Sequence, residues 1–297
     1  MPDSRTPARR LRDAGILATF RGLDRVLPPA AAALAYRLWT TPGPTPADSV
    51  RDWPAATESG WVATANGRIR THVHGGGGPT VLLVHGWGGH AGHWREFVPA
   101  LTAAGYRVAA LDHIGHGGSP RRRTNLAEMI ESVRAVARRH GPLAGVVGHS
   151  VGGAAAYLAV ADGVETDALA VIGSPANLED MVRLFTGMLG LSERSVAALR
   201  RRMEDRYGFG WDDARAERVL PALAAVRGLV VHDRRDREVP FAQAEINARH
   251  WPGAALVATE GKGHRRILSD RAAVATVVDF LADAAADPVV VPRRARG

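Results

Sequence analysis

Six short runs of the chain are almost continuously apolar: TVLLVH (80–85), YRVAALD (106–112), LAGVVGH (143–149), ALAVIGS (168–174), GLVVHD (228–233) and AALVATE (254–260). Runs of this length without polar alternation suit strands covered on both faces. Segments of helical period separate most of them, which predicts a parallel sheet with right-handed crossovers. Ahead of them, WVATANGRIRTHVH (61–74) alternates on both sides of Asn66-Gly67, a hairpin signal. The expected fold class is α/β: a mostly parallel central sheet with helices on both faces, an N-terminal hairpin and a small helical cap.

The remaining pattern is helical. Ile16, Phe20, Leu23 and Leu27 share one helical face, and Pro28-Pro29 should end that piece. AAAALAYRLW can form a second helix, stopped by the proline-rich TTPGPTP at 40–46. The interval between Ser174 and Gly228 is too long for a simple crossover. It holds two amphipathic stretches, LEDMVRLFTGMLGL and SERSVAALRRRMEDRYG, with Val196, Leu199 and Met203 on one face of the second. The expected organisation is an N-terminal helical arm and linker (1–46), an α/β domain (47–286) with a helical cap inserted at about 175–225, and a flexible basic tail (287–297).

Composition narrows the chemistry. The 297 residues are 46% hydrophobic, enough for one large core, and include no cysteine, so disulfides and thiolate catalysis are excluded. The formal charge is +8, but the arginine clusters (121–123, 200–202) lack interleaved aromatic residues, and no nucleic-acid partner is expected. No apolar stretch reaches the ~20 residues of a membrane span. The N-terminus lacks a secretory apolar core, so a cytoplasmic location is expected. The arm could alternatively touch a membrane surface as an amphipathic anchor. Nothing in the sequence sets the oligomeric state.

The chemistry concentrates at strand ends. In VVGHSVGGAA (146–155), Gly148 and Gly152 bracket Ser150 in a G-x-S-x-G pattern. Such a turn from strand to helix is so sharp that neighbouring side chains must be absent, and the serine is pushed out at the strand end. HGWGGHAGHW, RRDREVP and GKGHRRIL also follow apolar runs, at the C-terminal edge where ligands bind in open α/β sheets.

With HGWGG, DHIGHGGS, GHSVGG, DREVP and GKGH in this order, residues 60 to 285 resemble the α/β-hydrolase superfamily. The resemblance implies a nucleophile–acid–histidine order that maps onto Ser150, Asp236 and His264. Asp233 is the alternative acid, and Glu179 and Asp180 are the next places to look. His264 would take the serine proton, and Asp236 would hold its tautomer. The N–H groups of Val151 and Trp87 would form the oxyanion hole. Trp87, Trp94, Phe185, Met188 and Leu189 either line an apolar substrate pocket or belong to loop and cap cores.

His85, His90, His93, His113, His116 and His149 invite a metal reading, but no carboxylates are grouped with them, and no metal is expected. Asp112 reads as a turn former at a strand end. GGGG (75–78) lacks a P-loop ending and reads as a turn. No organic cofactor is implied. The expected function is serine hydrolysis of an ester or thioester of a small to medium, mostly apolar acyl group. Other readings are a C–C bond hydrolase, lyase or peroxidase on the same fold, or a non-catalytic ligand-binding protein.

Overall fold

A computed structural model describes residues 7–44 and 54–286, with side chains from residue 15 onward. The end of the proline-rich linker and the whole of the basic tail lie outside the described residues. By internal contacts the chain divides into a sheet unit (residues 42–177 and 212–297) and a helical unit (residues 1–41 and 178–211).

The sheet unit carries eight strands: β1 (Glu58–Thr64), β2 (Gly67–His74), β3 (Thr80–Val84), β4 (Arg107–Asp112), β5 (Leu143–His149), β6 (Ala168–Ile172), β7 (Arg227–Asp233) and β8 (Ala255–Thr259). Their order is β1-β2-β4-β3-β5-β6-β7-β8. Each of the six apolar runs forms a strand, within one or two residues at either end. The predicted hairpin is β1–β2, closed with Thr64 opposite Gly67. Only β1–β2 and β2–β4 are antiparallel; every other pairing is parallel. Strands β3 and β6 are buried at every position, which explains their lack of alternation.

The sheet unit's helices are α3 (Phe97–Ala103), α4 (Leu126–His140), α5 (Val151–Ala161), α8 (Ala216–Val219), α9 (Ala242–His250), α10 (Gly263–Arg266) and α11 (Arg271–Ala286). Helix α4 is capped by Asn125, whose side chain accepts from the Glu128 N–H at 3.0 Å. One large core joins Phe97, Val98 and Leu101 of α3 and Val274, Val277 and Leu281 of α11 to Val81, Leu83, Val108, Val147 and Val231. Helix α5 packs on α4, β5 and β6. With its core filled, the sheet is a rigid platform whose parallel strands all end at one edge.

The helical unit consists of α1 (Pro7–Val26), α2 (Pro28–Trp39), α6 (Leu178–Leu189) and α7 (Glu193–Tyr207). Pro28 and Pro29 do not merely end α1: they occupy the first turn of α2, where a missing N–H is harmless. Buried Ala31, Ala32 and Ala35 let α2 approach α7 closely, and Val196, Leu199 and Met203 of α7 are buried as their spacing predicts. The apolar face predicted for the first helix is only partly covered: Phe20 is buried, whereas Ile16 and Leu27, the latter in the joint between α1 and α2, are exposed. Trp39 packs on Phe185 with ring centroids 5.1 Å apart. That the arm and the insertion share one unit has no counterpart in the pattern of apolar positions. No described helix is long and apolar enough to cross a membrane.

Candidate active site

Ser150 sits between the end of β5 and the start of α5 at φ 55°, ψ −134°. A side chain at positive φ is strained, and such strain persists only where the surroundings over-determine it. Here the Ser150 N–H bonds the Ile172 carbonyl at 2.9 Å, and its own carbonyl accepts from Gly153 at 2.9 Å. The flanking glycines are required sterically. A Cβ on Gly148 would stand 2.5 Å from Gly153 Cα, and one on Gly152 would stand 2.2 Å from the His85 carbonyl.

His264 lies on α10, the single turn after β8, and Asp236 lies in the loop after β7. Ser150 Oγ is 2.9 Å from His264 Nε2. His264 Nδ1 is 2.7 Å from Asp236 Oδ2. Three side chains from three strand ends thus form one hydrogen-bonded line. Burial alone would raise the Asp236 pKa, but hydrogen bonds from His232 and His264, then from the Val239 N–H, hold it well below the usual carboxylate range. Asp236 Oδ1 also accepts from the Glu238 and Val239 N–H groups at 2.8 and 2.9 Å. Asp233 faces elsewhere. It accepts from the Arg235 N–H at 2.9 Å, and from Thr259 Oγ1 and the Lys262 N–H at 2.8 Å each, so it ties the loops after β7 and β8 together.

The Val151 N–H opens α5, where the helix supplies no acceptor. Neither it nor the Trp87 N–H is bonded to any acceptor among the described residues. The Gly86 backbone approaches Ser150 so closely that a Cβ on Gly86 would lie 2.7 Å from Ser150 Cβ. That loop is fastened from several sides. Asp112 accepts from the Ala91 and Gly118 N–H groups at 2.7 Å each, so it organises two loops rather than one turn. His85 Nε2 accepts from the His113 N–H at 3.1 Å, and His116 Nε2 accepts from the Gly88 N–H at 3.0 Å. Burial drives the pKa of His85 and His113 far down and that of His116 to about 4, so these rings are neutral scaffolding. No group of three or more potential ligands poised for a metal occurs among the described residues.

The expected pocket residues fall in different places. Trp94 is fully buried and packs edge-to-face on Phe97 at 5.0 Å, so the core, not a ligand, takes up its surface. Trp87 is partly exposed, with its ring edge on His116 at 5.3 Å. Phe185, Met188 and Leu189 belong to the helical unit: Phe185 packs on Trp39 with the rings tilted, Leu189 is buried, and Met188 is 70% exposed. Two neighbours of the line, His232 and Gly173, escaped sequence reasoning, and a third, His149, was considered there only as a metal candidate. His232 Nε2 lies 2.9 Å from the Val239 carbonyl and 3.4 Å from Asp236 Oδ2. Gly173, at φ 58°, runs beneath the His264–Asp236 bond, where a Cβ would be 3.3 Å from His264 Nδ1. His149 contacts the main chain of His264. The available signals were a histidine inside an apolar strand and a glycine at a strand end; neither names its partner.

Comparison with known proteins fits this architecture. A family model described as "alpha/beta hydrolase fold" matches residues 79–207, and one described as "TAP-like protein" matches residues 204–290. A curated relative, the dihydrolipoyllysine-residue acetyltransferase component of the acetoin cleaving system of Cupriavidus necator, is 34% identical over 205 residues. That match covers 68% of this chain and 53% of the relative, so the chain spans about half of its length. A monoacylglycerol lipase of Mycolicibacterium smegmatis is 38% identical over 112 residues, covering 34% of this chain and 40% of the relative. Among solved structures, a thermophilic esterase from Thermogutta terrifontis superposes with a TM-score of 0.58 at 17% identity, over 77% of this chain and 99% of that one. Strand order, turn geometry and family matches agree: the chain belongs to the α/β-hydrolase superfamily.

Proposed function

We propose that the protein is a serine hydrolase that cleaves an ester or thioester of a small to medium, mostly apolar acyl group through an acyl-serine intermediate. The observation that carries this reading is the Ser150–His264–Asp236 line, with contacts of 2.9 and 2.7 Å. A serine hydroxyl becomes nucleophilic when a base takes its proton during attack, and His264 Nε2 is placed to do so. The imidazolium that forms faces Asp236, whose carboxylate stays ionised. The tetrahedral oxyanion would be met by the N–H groups of Trp87 and Val151, and losing one such donor costs ~3 kcal/mol in the transition state. His264 then returns the proton to the leaving oxygen or sulfur, and water repeats the sequence on the acyl-serine. The names of the lipase and esterase relatives favour ester substrates.

The test is labelling by a fluorophosphonate probe, together with turnover of ester and thioester series of graded chain length. Wild type should label at Ser150. Ser150→Ala should stay folded, fail to label and lose turnover by ~10⁴-fold or more. Turnover by Ser150→Ala within tenfold of wild type would overturn the reading.

A further inference from the structure

His149 stands directly before Ser150, as the last residue of β5, and is only 4% exposed. Its Nε2 lies 2.9 Å from the main-chain carbonyl oxygen of His264. A carbonyl can only accept, so His149 carries its proton on Nε2 and donates it there. The His149 and His264 rings are 4.7 Å apart and tilted by 44°. On the other side, a Cβ built on Gly86 would lie 3.4 Å from His149 Nδ1. The ring therefore fills the space between the loop carrying Trp87 and the turn carrying His264. Burial first, and then the nearby His264, push the His149 pKa down to about 3, so this ring stays neutral while His264 gains and loses a proton.

The turn that carries His264 is tied at its start by Asp233, which accepts from the Lys262 N–H at 2.8 Å, but that bond does not hold the main chain at His264 itself. Helix α10 has 4 residues and is preceded by Gly261 and opened by Gly263, both at positive φ. A single turn does not order itself, and glycines widen the conformations open to it. Asp236 holds only the ring, whereas a bond to the carbonyl holds the main chain of the same residue. Together they set where Nε2 stands relative to Ser150 Oγ.

We propose that His149 is a positioning residue: its Nε2–H tethers the His264 carbonyl, so the strand end that presents the nucleophile also holds the base in register with it. The proposal rests on reading Ser150 and His264 as nucleophile and base. A 1 Å misplacement in such a site costs ~10²-fold in rate. The loss should fall on kcat, because His149 reaches the base turn rather than a bound acyl group.

The experiment compares His149→Met, similar in length but without a donor, with His149→Gln, which restores an N–H donor. The readouts on the full chain are kcat and KM on a p-nitrophenyl ester, the fluorophosphonate labelling rate, and the ¹⁵N-histidine NMR signal of the His264 Nδ1 proton. His149→Met should lower kcat and labelling by about 30- to 100-fold with KM within about twofold, while His149→Gln stays within about fivefold of wild type. The Nδ1 proton signal should be sharp in wild type and His149→Gln and broadened in His149→Met. A kcat for His149→Met within about threefold of wild type, or His149→Gln as poor as His149→Met, would overturn the tether. If His149→Met does not fold, His149→Gln decides alone: a loss beyond about 30-fold refutes the proposal and near-wild-type turnover supports it. A wild type that neither turns over esters nor labels would count against the hydrolase reading. The NMR signal then judges the tether, and an unchanged signal in His149→Met refutes it.

Discussion

At the scale of single residues, two carboxylates three positions apart do different work. Asp236 accepts from His264, while Asp233 accepts from Arg235, Thr259 and Lys262 and joins two loops. Replacing each by Asn keeps the shape and removes the charge. Asp236→Asn should lower turnover by ~10⁴-fold, as expected for a base left in the wrong tautomer. Asp233→Asn should leave turnover within about tenfold and instead lower the melting temperature, because a buried acceptor of three bonds is weakened. Turnover numbers and thermal melts of both variants check this, and the reverse pattern would move the acid role to Asp233. Gly173 adds a related expectation. With φ at 58° and the His264–Asp236 bond against it, Gly173→Ala should reduce kcat by more than it reduces stability, read from the same two measurements.

At the scale of elements, the N-terminal helices belong with the insertion. The Asp24 carboxylate accepts from the Ser192 N–H at 3.2 Å and from Ser192 Oγ at 2.9 Å, so a residue of α1 caps the start of α7. Ser195 Oγ donates to the Pro28 carbonyl at 3.1 Å. Against the effect of burial, bonds from Ser195 and Ser192 lower the Asp24 pKa. Asp24→Ala should cost ~1 kcal/mol, the usual value of a cap, confined to the helical unit. Hydrogen exchange would show this as faster exchange in α7 with β3 to β6 unchanged. Deleting residues 1–41 should do more, because it uncovers Val196, Leu199 and Met203.

At the scale of the whole molecule, the buried histidines make stability depend on pH. Burial lowers the pKa of His116 to about 4 and that of His149 to about 3, and drives His85 and His113 in the same direction. A histidine whose folded pKa lies below its unfolded value binds protons more readily when unfolded. Its stabilising effect is complete above about pH 6.5 and is lost as pH falls toward the folded value. At pH 5, His116 and His149 should each cost ~2 kcal/mol relative to neutral pH, a large share of ordinary domain stability. Asp112, lowered to about 2 against the effect of burial by the nearby His72 ring and by bonds from the Gly118 and Ala91 N–H groups, adds a second loss only below about pH 4. Melting temperature should therefore fall steeply from pH 6.5 to 5, and further below 4. A flat profile between pH 7 and 5 would show that these rings can be protonated inside the fold.

The strands, the hairpin and the turn at Ser150 were legible in the sequence because their causes are local. Uninterrupted apolar runs encode burial on two faces, Asn66-Gly67 encodes a hairpin, and the paired glycines around Ser150 encode a turn in which a side chain would collide. The loop motif favoured Asp236 over Asp233 without deciding between them, since the choice depends on the direction in which a loop leaves β7. Tertiary structure alone decided the remaining partners. His264 meets Ser150 across 114 positions of sequence, and His149 meets the His264 carbonyl across 115. Trp94 was drawn into the core by Phe97, and the arm was joined to the insertion by Asp24 and by the small residues of α2. Such contacts leave no period in the chain: each residue type is compatible with many surroundings, and only the packed fold selects one.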